Sequence, residues 1–363
     1  MTTDGVVTTG QLRGAPMRDR TSNRSLIRLW LGAVILLVIA MIVVGGATRL
    51  TGSGLSITEW KPIHGVIPPI GEVEWHEEFD KYKQIPQYEI VNKGMTLDEF
   101  KNIFWWEWGH RLLGRMIGVV FFVPFVLLWM TGRIERPLIP RLLGLFALGG
   151  LQGGIGWWMV TSGLADRISV SQYRLAIHLT IACLILAVAV WISRGLVPDK
   201  GEDRAASVPL KGMASFIVAI VMVQIFLGGL VAGLKAGMTY NTWPLMDGSF
   251  IPTGVYDYDP AWLSVFEDVM TVQFDHRIVA YLLVIAALVH AFQAWKLVPG
   301  SHAARRARHL AVLVLAQAGI GIATLIAVVP LDLALLHQFG AAVVLWAAVS
   351  HRRALNPPTP VTA

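Results

Sequence analysis

The sequence contains few charged residues and almost no cysteine. Only 15% of its 363 residues are charged, whereas 55% are hydrophobic, and the mean hydropathy is +0.58. A soluble domain cannot solvate that much apolar sequence, so the composition excludes a soluble globular protein and indicates a membrane protein. The single cysteine, Cys183, cannot form an internal disulfide. The sequence also has no CxxC or CxxCH motif, which argues against cysteine-ligated zinc and covalently attached c-type haem.

Eight apolar runs are long enough to cross a hydrocarbon core, which takes about 20 helical residues. The predicted spans cover residues 26–47, 108–130, 141–161, 172–194, 212–232, 270–294, 308–329 and 333–351. The first run ends in small residues that resemble a signal-peptide cleavage site, but it is too long for a signal sequence and we interpret it as a span. The sequence therefore predicts an all-α integral membrane protein with eight transmembrane helices.

The basic residues predict the orientation of these spans. Arginine and lysine concentrate in both terminal tails and in the loops after the second, fourth and sixth spans, whereas the outer loops are acidic. This distribution predicts that both termini lie in the cytoplasm. We therefore attribute the net charge of +6 to topology and expect no nucleic-acid partner. The tail includes Asp4 and Asp19 and no long Arg/Ser-rich presequence, which favours a bacterial inner membrane over the mitochondrial inner membrane.

The two halves of the sequence repeat each other. The matching segments are Gly45-Gly46 with Gly228-Gly229, residues 152–156 with 317–321, and His178 with His337. Four spans per half preserve the orientation, so we predict two tandem four-helix bundles related by a pseudo-two-fold axis along the membrane normal. The predicted boundaries are a cytoplasmic basic tail at 1–25, an N-terminal half at 26–194, a cytoplasmic linker at 195–211, a C-terminal half at 212–351 and a cytoplasmic tail at 352–363.

Four of the ten histidines lie in the outer part of even-numbered spans: His110, His178, His276 and His337. The other six, including those near the inner ends of spans, are assigned to loops and cytoplasmic ends. For one intramembrane histidine, an interhelical hydrogen bond and a ligand role have about equal weight. For a repeated pair at equal depth, bis-imidazole ligation of one haem per half is the stronger interpretation. Zinc is less suitable because it needs three or four protein ligands.

One position distinguishes the two halves. Glu107 lies three residues before His110, whereas Gln273 lies three residues before His276. Side chains at this spacing share a helix face, and a carboxylate beside a redox centre exchanges protons or stabilises a developing cation. The alternative, a carboxylate that pairs with Arg111 or caps the helix, has equal weight from these residues alone. Arg111 and Arg277 also have two interpretations, which are contact with haem propionates and snorkelling to the membrane surface.

Five motifs, in order, resemble those of the haem A synthase family. They are GGATRLTGSGLS at 45–56, WKP-HG-PP between 60 and 69, EWGHR at 107–111, NTWPLM at 241–246 and FDHR at 274–277. The resemblance covers about residues 26–352 and is closest to the proteobacterial and mitochondrial branch. It implies oxidation of the C8 methyl of haem O to a formyl group through hydroxylated intermediates, which produces haem A for cytochrome oxidase.

The resemblance also implies roles for the site residues. The C-terminal half would hold a haem b cofactor through His276 and His337, and the N-terminal half would hold the substrate haem through His110 and His178. Glu107 would be the catalytic residue. The implied partners are haem O, the membrane lipid and the prenyltransferase that forms haem O, with an unspecified electron donor. Some family members have a cysteine pair in the first outer loop, and this chain has none there, so a disulfide relay is excluded.

Two other classes of function compete with this one. A dihaem b-type cytochrome, passing electrons between a quinone and an outer partner, would use the same four histidines. Glu107, which has no carboxylate counterpart, and the tryptophan-rich outer loops favour the enzyme. A transporter built on a parallel repeat fits less well, because the histidines lie away from the bilayer midplane and the spans show no paired breaks.

Overall fold

The computed structural model describes residues 17–61, 64–165, 167–197 and 208–356. Within these ranges the chain forms helices and no strand, and its one β-type pairing is the isolated bridge between Met246 and Ser249. The α-helices are α1 (Met17–Leu50), α2 (Glu72–Tyr82), α3 (Pro86–Ile90), α4 (Leu97–Met130), α5 (Ile139–Leu164), α6 (Gln172–Gly195), α7 (Leu210–Gly233), α8 (Ser264–Glu267), α9 (Val269–Leu297), α10 (His302–Ile326) and α11 (Leu331–Ala354).

The predicted tails and linker fall largely outside the described residues. Residues 1–16 contain most of the predicted basic tail, residues 198–207 most of the linker, and residues 357–363 most of the C-terminal tail. The predicted domain boundaries therefore stay a prediction.

Eight of the described helices are long and apolar enough to cross a membrane, which confirms the predicted all-α integral membrane protein. They are α1, α4, α5, α6, α7, α9, α10 and α11. The predicted start of the second span at residue 108 was too late, since α4 begins at Leu97. Thr96 caps this helix in a reciprocal arrangement with Glu99, so Glu107 lies well inside the helix and does not cap it.

Each half is a ring of four helices with its histidine helices at opposite corners. In the N-terminal half, α1 and α5 each pack against both α4 and α6. In the C-terminal half, α7 and α10 each pack against both α9 and α11. The histidines on the second and fourth helix of each ring are therefore carried by helices that face each other across the bundle.

The two halves share one apolar core. Helix α6 packs along α7 and α11, and α1 packs against α11. Fully buried side chains from both halves, including Leu31, Leu186, Ile217 and Leu345, belong to the same hydrophobic cluster. In lipid such close packing is stabilised by dispersion and shape complementarity rather than by exclusion of water. The pseudo-two-fold relation between the bundles stays a prediction.

An aromatic cluster covers the outer end of the N-terminal half. Helix α2 lies on the first turns of α4, where Trp75 packs against Phe104 with ring centroids 5.0 Å apart and Phe79 stacks on Phe100 at 4.9 Å. Leu55, in the loop after α1, is buried in the same cluster. The cluster fixes this loop against α4, next to the segment that contains Glu107.

Candidate functional site

Each of the four outer histidines packs against a glycine on a neighbouring helix. A Cβ added to the glycine would lie 3.5 Å from the ring of His110 (Gly45), 3.0 Å from that of His178 (Gly156), 3.3 Å from that of His276 (Gly228) and 2.7 Å from that of His337 (Gly321). Because a glycine has no side chain, the imidazole lies directly on the partner helix. The glycines come from the first and third helix of each half, and the histidines from the second and fourth.

Three of these histidines also contact a glutamine amide from the glycine-bearing helix. In each case the glutamine Nε2 donates to the main-chain carbonyl of the histidine and lies close to a ring nitrogen. The carbonyl and ring distances are 3.1 and 3.3 Å for Gln152 at His178, 3.0 and 3.1 Å for Gln224 at His276, and 2.7 and 3.0 Å for Gln317 at His337. The Oε1 atom of each glutamine is buried and unpartnered. The amide therefore restricts the orientation of the imidazole and retains a free acceptor.

His110 differs from the other three histidines. Across the described ranges, none of the hydrogen bonds involves its ring, and its glycine neighbour Gly45 lies at ordinary van der Waals distance. Its orientation therefore depends on packing alone.

Glu107 forms a buried ion pair beside His110. Its side chain is 3% exposed, and Oε1 accepts a hydrogen bond of 2.6 Å from Nη2 of Arg111. The Oε2 atom accepts bonds of 2.8 Å from the hydroxyl of Ser56 and of 2.8 Å from the main-chain N–H of Ile57. Three donors therefore satisfy the two buried oxygens of the carboxyl group. Of the structural alternatives for Glu107, pairing with Arg111 is confirmed and helix capping is wrong.

Arg111 and Arg277 attach the outer loops to the second helix of each half. Arg111 donates to the main-chain carbonyls of Glu59 at 3.0 Å and Ile57 at 2.8 Å. Arg277 donates to those of Thr242 at 2.9 Å and Tyr240 at 2.8 Å. Both guanidinium groups are held by loop carbonyls, and snorkelling to the membrane surface stays a prediction for both. Contact with haem propionates stays a prediction for both.

A different histidine pair closes the inner end of the C-terminal half. His290 and His351 lie fourteen residues after His276 and His337 on the same helices. Both are buried, and their Nε2 atoms are 2.8 Å apart in a direct hydrogen bond. The sequence assigned these two residues to inner helix ends without relating them to each other. Their direct contact leaves no room for an iron between them, so they are a structural pair.

The four outer histidines fit haem better than a protein-ligated metal ion. Within the described residues, no group of three or more histidine, cysteine, aspartate or glutamate side chains is arranged to hold a metal. A haem iron needs only two axial ligands, and each bundle offers two imidazoles on opposed helices.

Residues 28–349 match the family model described as cytochrome oxidase assembly protein. The chain belongs to this family. It is 58% identical over 338 residues to a protein named heme A synthase from Chelativorans sp. (strain BNC1), with 93% of each chain covered. It is 57% identical over 345 residues to the heme A synthase of Brucella anthropi, covering 95% of this chain and 96% of that one. The heme A synthase of Brucella ovis is also 57% identical, over 344 residues and 95% of each chain.

The sequence predicted the family but missed several residues of the site. Ser56 belongs to a motif that supported the resemblance, but its contact with Glu107 spans 51 positions and depends on the fold of the first loop. The three histidine-binding glutamines were also missed. Their signal was present, because Gln152 and Gln317 open the repeated segments and each lies four residues before the glycine that contacts the histidine.

Proposed function

We propose that this protein is an oxidoreductase that converts haem O to haem A, which cytochrome oxidase uses. The observation that carries the proposal is the 57–58% identity, over more than nine-tenths of the chain, to proteins named heme A synthase. The site supports it, because four opposed histidines provide for two haems and a single carboxylate distinguishes one half from the other. The C8 methyl of haem O is oxidised to a formyl group through hydroxylated intermediates.

The C-terminal half is proposed to hold the cofactor, haem b, through His276 and His337. When bound, a haem of this kind supplies one-electron transfer. The protein contributes the orientation of both axial ligands, because Gln224 and Gln317 contact the imidazoles and donate to the main chain of the same residues. Both ligands are thus held from the helices that pack beside them.

The N-terminal half is proposed to bind the substrate haem through His110 and His178, with Glu107 as the catalytic residue. Oxidation of a hydroxymethyl group to an aldehyde requires loss of the hydroxyl proton, so the site needs a base. Glu107 lies one turn from His110, and its Oε2 atom takes up a proton after separating from Ser56 and Ile57. Arg111 stays paired with Oε1 and holds the side chain in place.

The protein is integral to the membrane, and we propose the bacterial inner membrane with both termini in the cytoplasm. Basic side chains gather at the ends of helices on the predicted inner side. Arg24 of α1 pairs with Glu135 in the loop after α4, and Arg353 of α11 lies against Gly195 at the end of α6. The proposed partners are haem O, the prenyltransferase that forms it and the surrounding lipid, with an electron donor whose identity these residues do not specify.

The proposal is tested by extracting haem from protein expressed with and without a supply of haem O and measuring its mass. We expect haem B alone without haem O, and added haem A or its hydroxylated precursor with it. Glu107→Ala should retain haem B and lower haem A formation by about 100-fold or more, as expected for loss of a general base. Two equivalents of unmodified haem B under both conditions would instead indicate a dihaem electron carrier.

A further inference from the structure

A pair of residues four positions apart recurs in the helices that support the histidines. Three of these helices carry glutamine followed four residues later by the glycine that contacts a histidine: Gln152 and Gly156 in α5, Gln224 and Gly228 in α7, and Gln317 and Gly321 in α10. In α1 the corresponding residues are Met41 and Gly45. Residues four apart lie on one helix face, so each glycine and its partner form one contact surface for the opposing helix.

Met41 occupies the glutamine position without the glutamine's hydrogen bonds. Its Cε atom lies 3.0 Å from where a Cβ on Gly114 would be, one turn beyond His110 on α4. The side chain therefore faces the histidine helix as the glutamines do. A thioether has no N–H donor and is only a weak acceptor. His110 consequently lacks the amide contact that the other three histidines have.

The difference between Met41 and the three glutamines coincides with the different roles proposed for the two halves. Under the proposed function, on which this inference rests, one haem is a cofactor that stays bound over many turnovers and the other leaves as product. The half assigned to the cofactor has a glutamine on both ligands, and the half assigned to the substrate has one only at His178. Groups that orient a ligating histidine typically change metal affinity by about 10–100-fold.

We propose that the residue at this position determines whether a haem is retained or released. Gln224 is a positioning residue that keeps haem in the C-terminal half by holding His276. Met41 leaves His110 free to detach, and this makes the substrate haem exchangeable. The difference follows from the side chain, because the glutamine N–H group donates to the main-chain carbonyl of the histidine and lies beside its ring, whereas methionine has no N–H donor.

The first test is Gln224→Met in protein expressed without haem O. The measurement is the rate at which haem B passes from the purified protein to an excess of apomyoglobin, together with the low-spin visible spectrum. We expect transfer to accelerate by about 10–100-fold. Gln317→Met should act in the same direction on His337, so the proposal remains testable if one variant fails to fold. Wild-type transfer rates in both variants would overturn the role of the glutamines.

Gln338→Leu is the matched control. Gln338 is also an intramembrane glutamine of the C-terminal half and donates to the main-chain carbonyl of Ile42 at 2.6 Å, without contacting a histidine ring. Its loss removes an equivalent interhelical hydrogen bond, so a general loosening of the bundle would accelerate haem transfer in this variant too. We expect its haem transfer rate and spectrum to match the wild type. Acceleration equal to that of Gln224→Met would overturn a specific role for Gln224.

The reciprocal test is Met41→Gln in protein expressed with haem O. We expect the variant to copurify with more haem A and to release it about 10–100-fold more slowly than the wild type. Met41→Leu, which conserves volume without adding a donor, should release haem A at the wild-type rate. Unchanged release in Met41→Gln would overturn the proposal. Failure of the wild type to form any haem A would contradict the proposed function. The Gln224→Met result could still be interpreted, because it is measured on protein expressed without haem O.

Discussion

Glu107 and Gln273 occupy corresponding positions in the two halves, and their hydrogen bonds to the outer loops run in opposite directions. Glu107 accepts from Ser56 and from the N–H of Ile57, whereas Gln273 donates to the carbonyls of Ala236 and Thr239 at 2.7 and 2.9 Å. Each also accepts from the arginine four residues later.

The comparison shows that this fold does not require a charge at the position. A neutral amide attaches the loop to the helix in the C-terminal half, with its side chain as deeply buried as that of Glu107. A buried carboxyl group needs hydrogen-bond donors, and Ser56, Ile57 and Arg111 supply three in the N-terminal half. The attachment of the loop to the helix therefore does not need the charge of Glu107. This is the pattern expected of a residue with a chemical role.

The largest expected effect comes from removing one histidine in each half. His276→Ala should abolish the low-spin haem spectrum of protein expressed without haem O, because an axial ligand is lost. His110→Ala should leave that spectrum intact and stop haem A formation when haem O is supplied. Absorption spectroscopy and haem extraction on the two purified variants make the comparison. A normal low-spin spectrum in His276→Ala would refute the assignment of the cofactor to the C-terminal half.

The helices and the candidate site residues could be proposed from the sequence because they depend on local properties. The length of an apolar run predicts a membrane span. A histidine or carboxylate inside such a run is noticeable because placing it in the membrane costs free energy. The start of α4 was also local, but the Thr96–Glu99 capping box lay upstream of the apolar run and was overlooked. Boundaries drawn from hydropathy alone end where the polar residues begin.

The partners of those residues were not accessible, because they depend on packing between distant segments. The sequence left Glu107 with either a catalytic or an ion-pair role, and the fold adds Ser56 from another segment. Similarly, His290 and His351 are 61 positions apart, and nothing in their local sequence predicts a direct contact. The family resemblance supplied roles for residues but no account of what holds them.

A smaller effect is expected from adding one methyl group behind a histidine in each half. Gly321→Ala places a Cβ 2.7 Å from the His337 ring, so the imidazole has to move, whereas Gly45→Ala reaches only ordinary contact at 3.5 Å from His110. We expect Gly321→Ala to accelerate haem B loss by roughly 10-fold, within the range for displaced ligand-supporting groups. Gly45→Ala should bind and turn over haem normally. Equal effects in the two variants would show that the distance between the glycine and the imidazole ring does not control haem retention at these two sites.

The inner histidine pair should affect stability without affecting haem. His351→Ala leaves the Nε2 of His290 buried without its 2.8 Å partner, which costs about 1–3 kcal/mol. We expect a lower midpoint of thermal unfolding in detergent and an unchanged haem content and spectrum at a temperature where the variant is folded. Replacing both residues by leucine should recover part of the loss, because no polar group is then left unpaired. Haem loss from folded His351→Ala would instead connect this pair to the cofactor.

The smallest effect is expected in the outer loop that covers Arg111. Glu59 pairs with Lys61 and Lys81 at 2.6 and 2.7 Å, and its main-chain carbonyl accepts from Arg111. Among the described residues, the corresponding loop at 234–263 contains no ion pair, so this attachment belongs to the N-terminal half. Hydrogen bonds from Lys61 and Lys81 lower the pKa of the Glu59 carboxyl.

Because the folded pKa of Glu59 is lowered, its contribution to stability is present above the unfolded value of about 4.3 and is lost as the pH falls through the folded value. The side chain is 42% exposed, so Glu59→Gln should cost less than about 1 kcal/mol at pH 7 and less at high salt. Proteolysis of the first outer loop at pH 7, with Glu89→Gln as a control that removes an exposed pair with Lys93, measures the difference. Faster cleavage only in Glu59→Gln, with haem B retention unchanged, would restrict the effect to the N-terminal half. Equal cleavage in the two variants would mean that the hydrogen bonds from Arg111 hold the loop without help from these ion pairs.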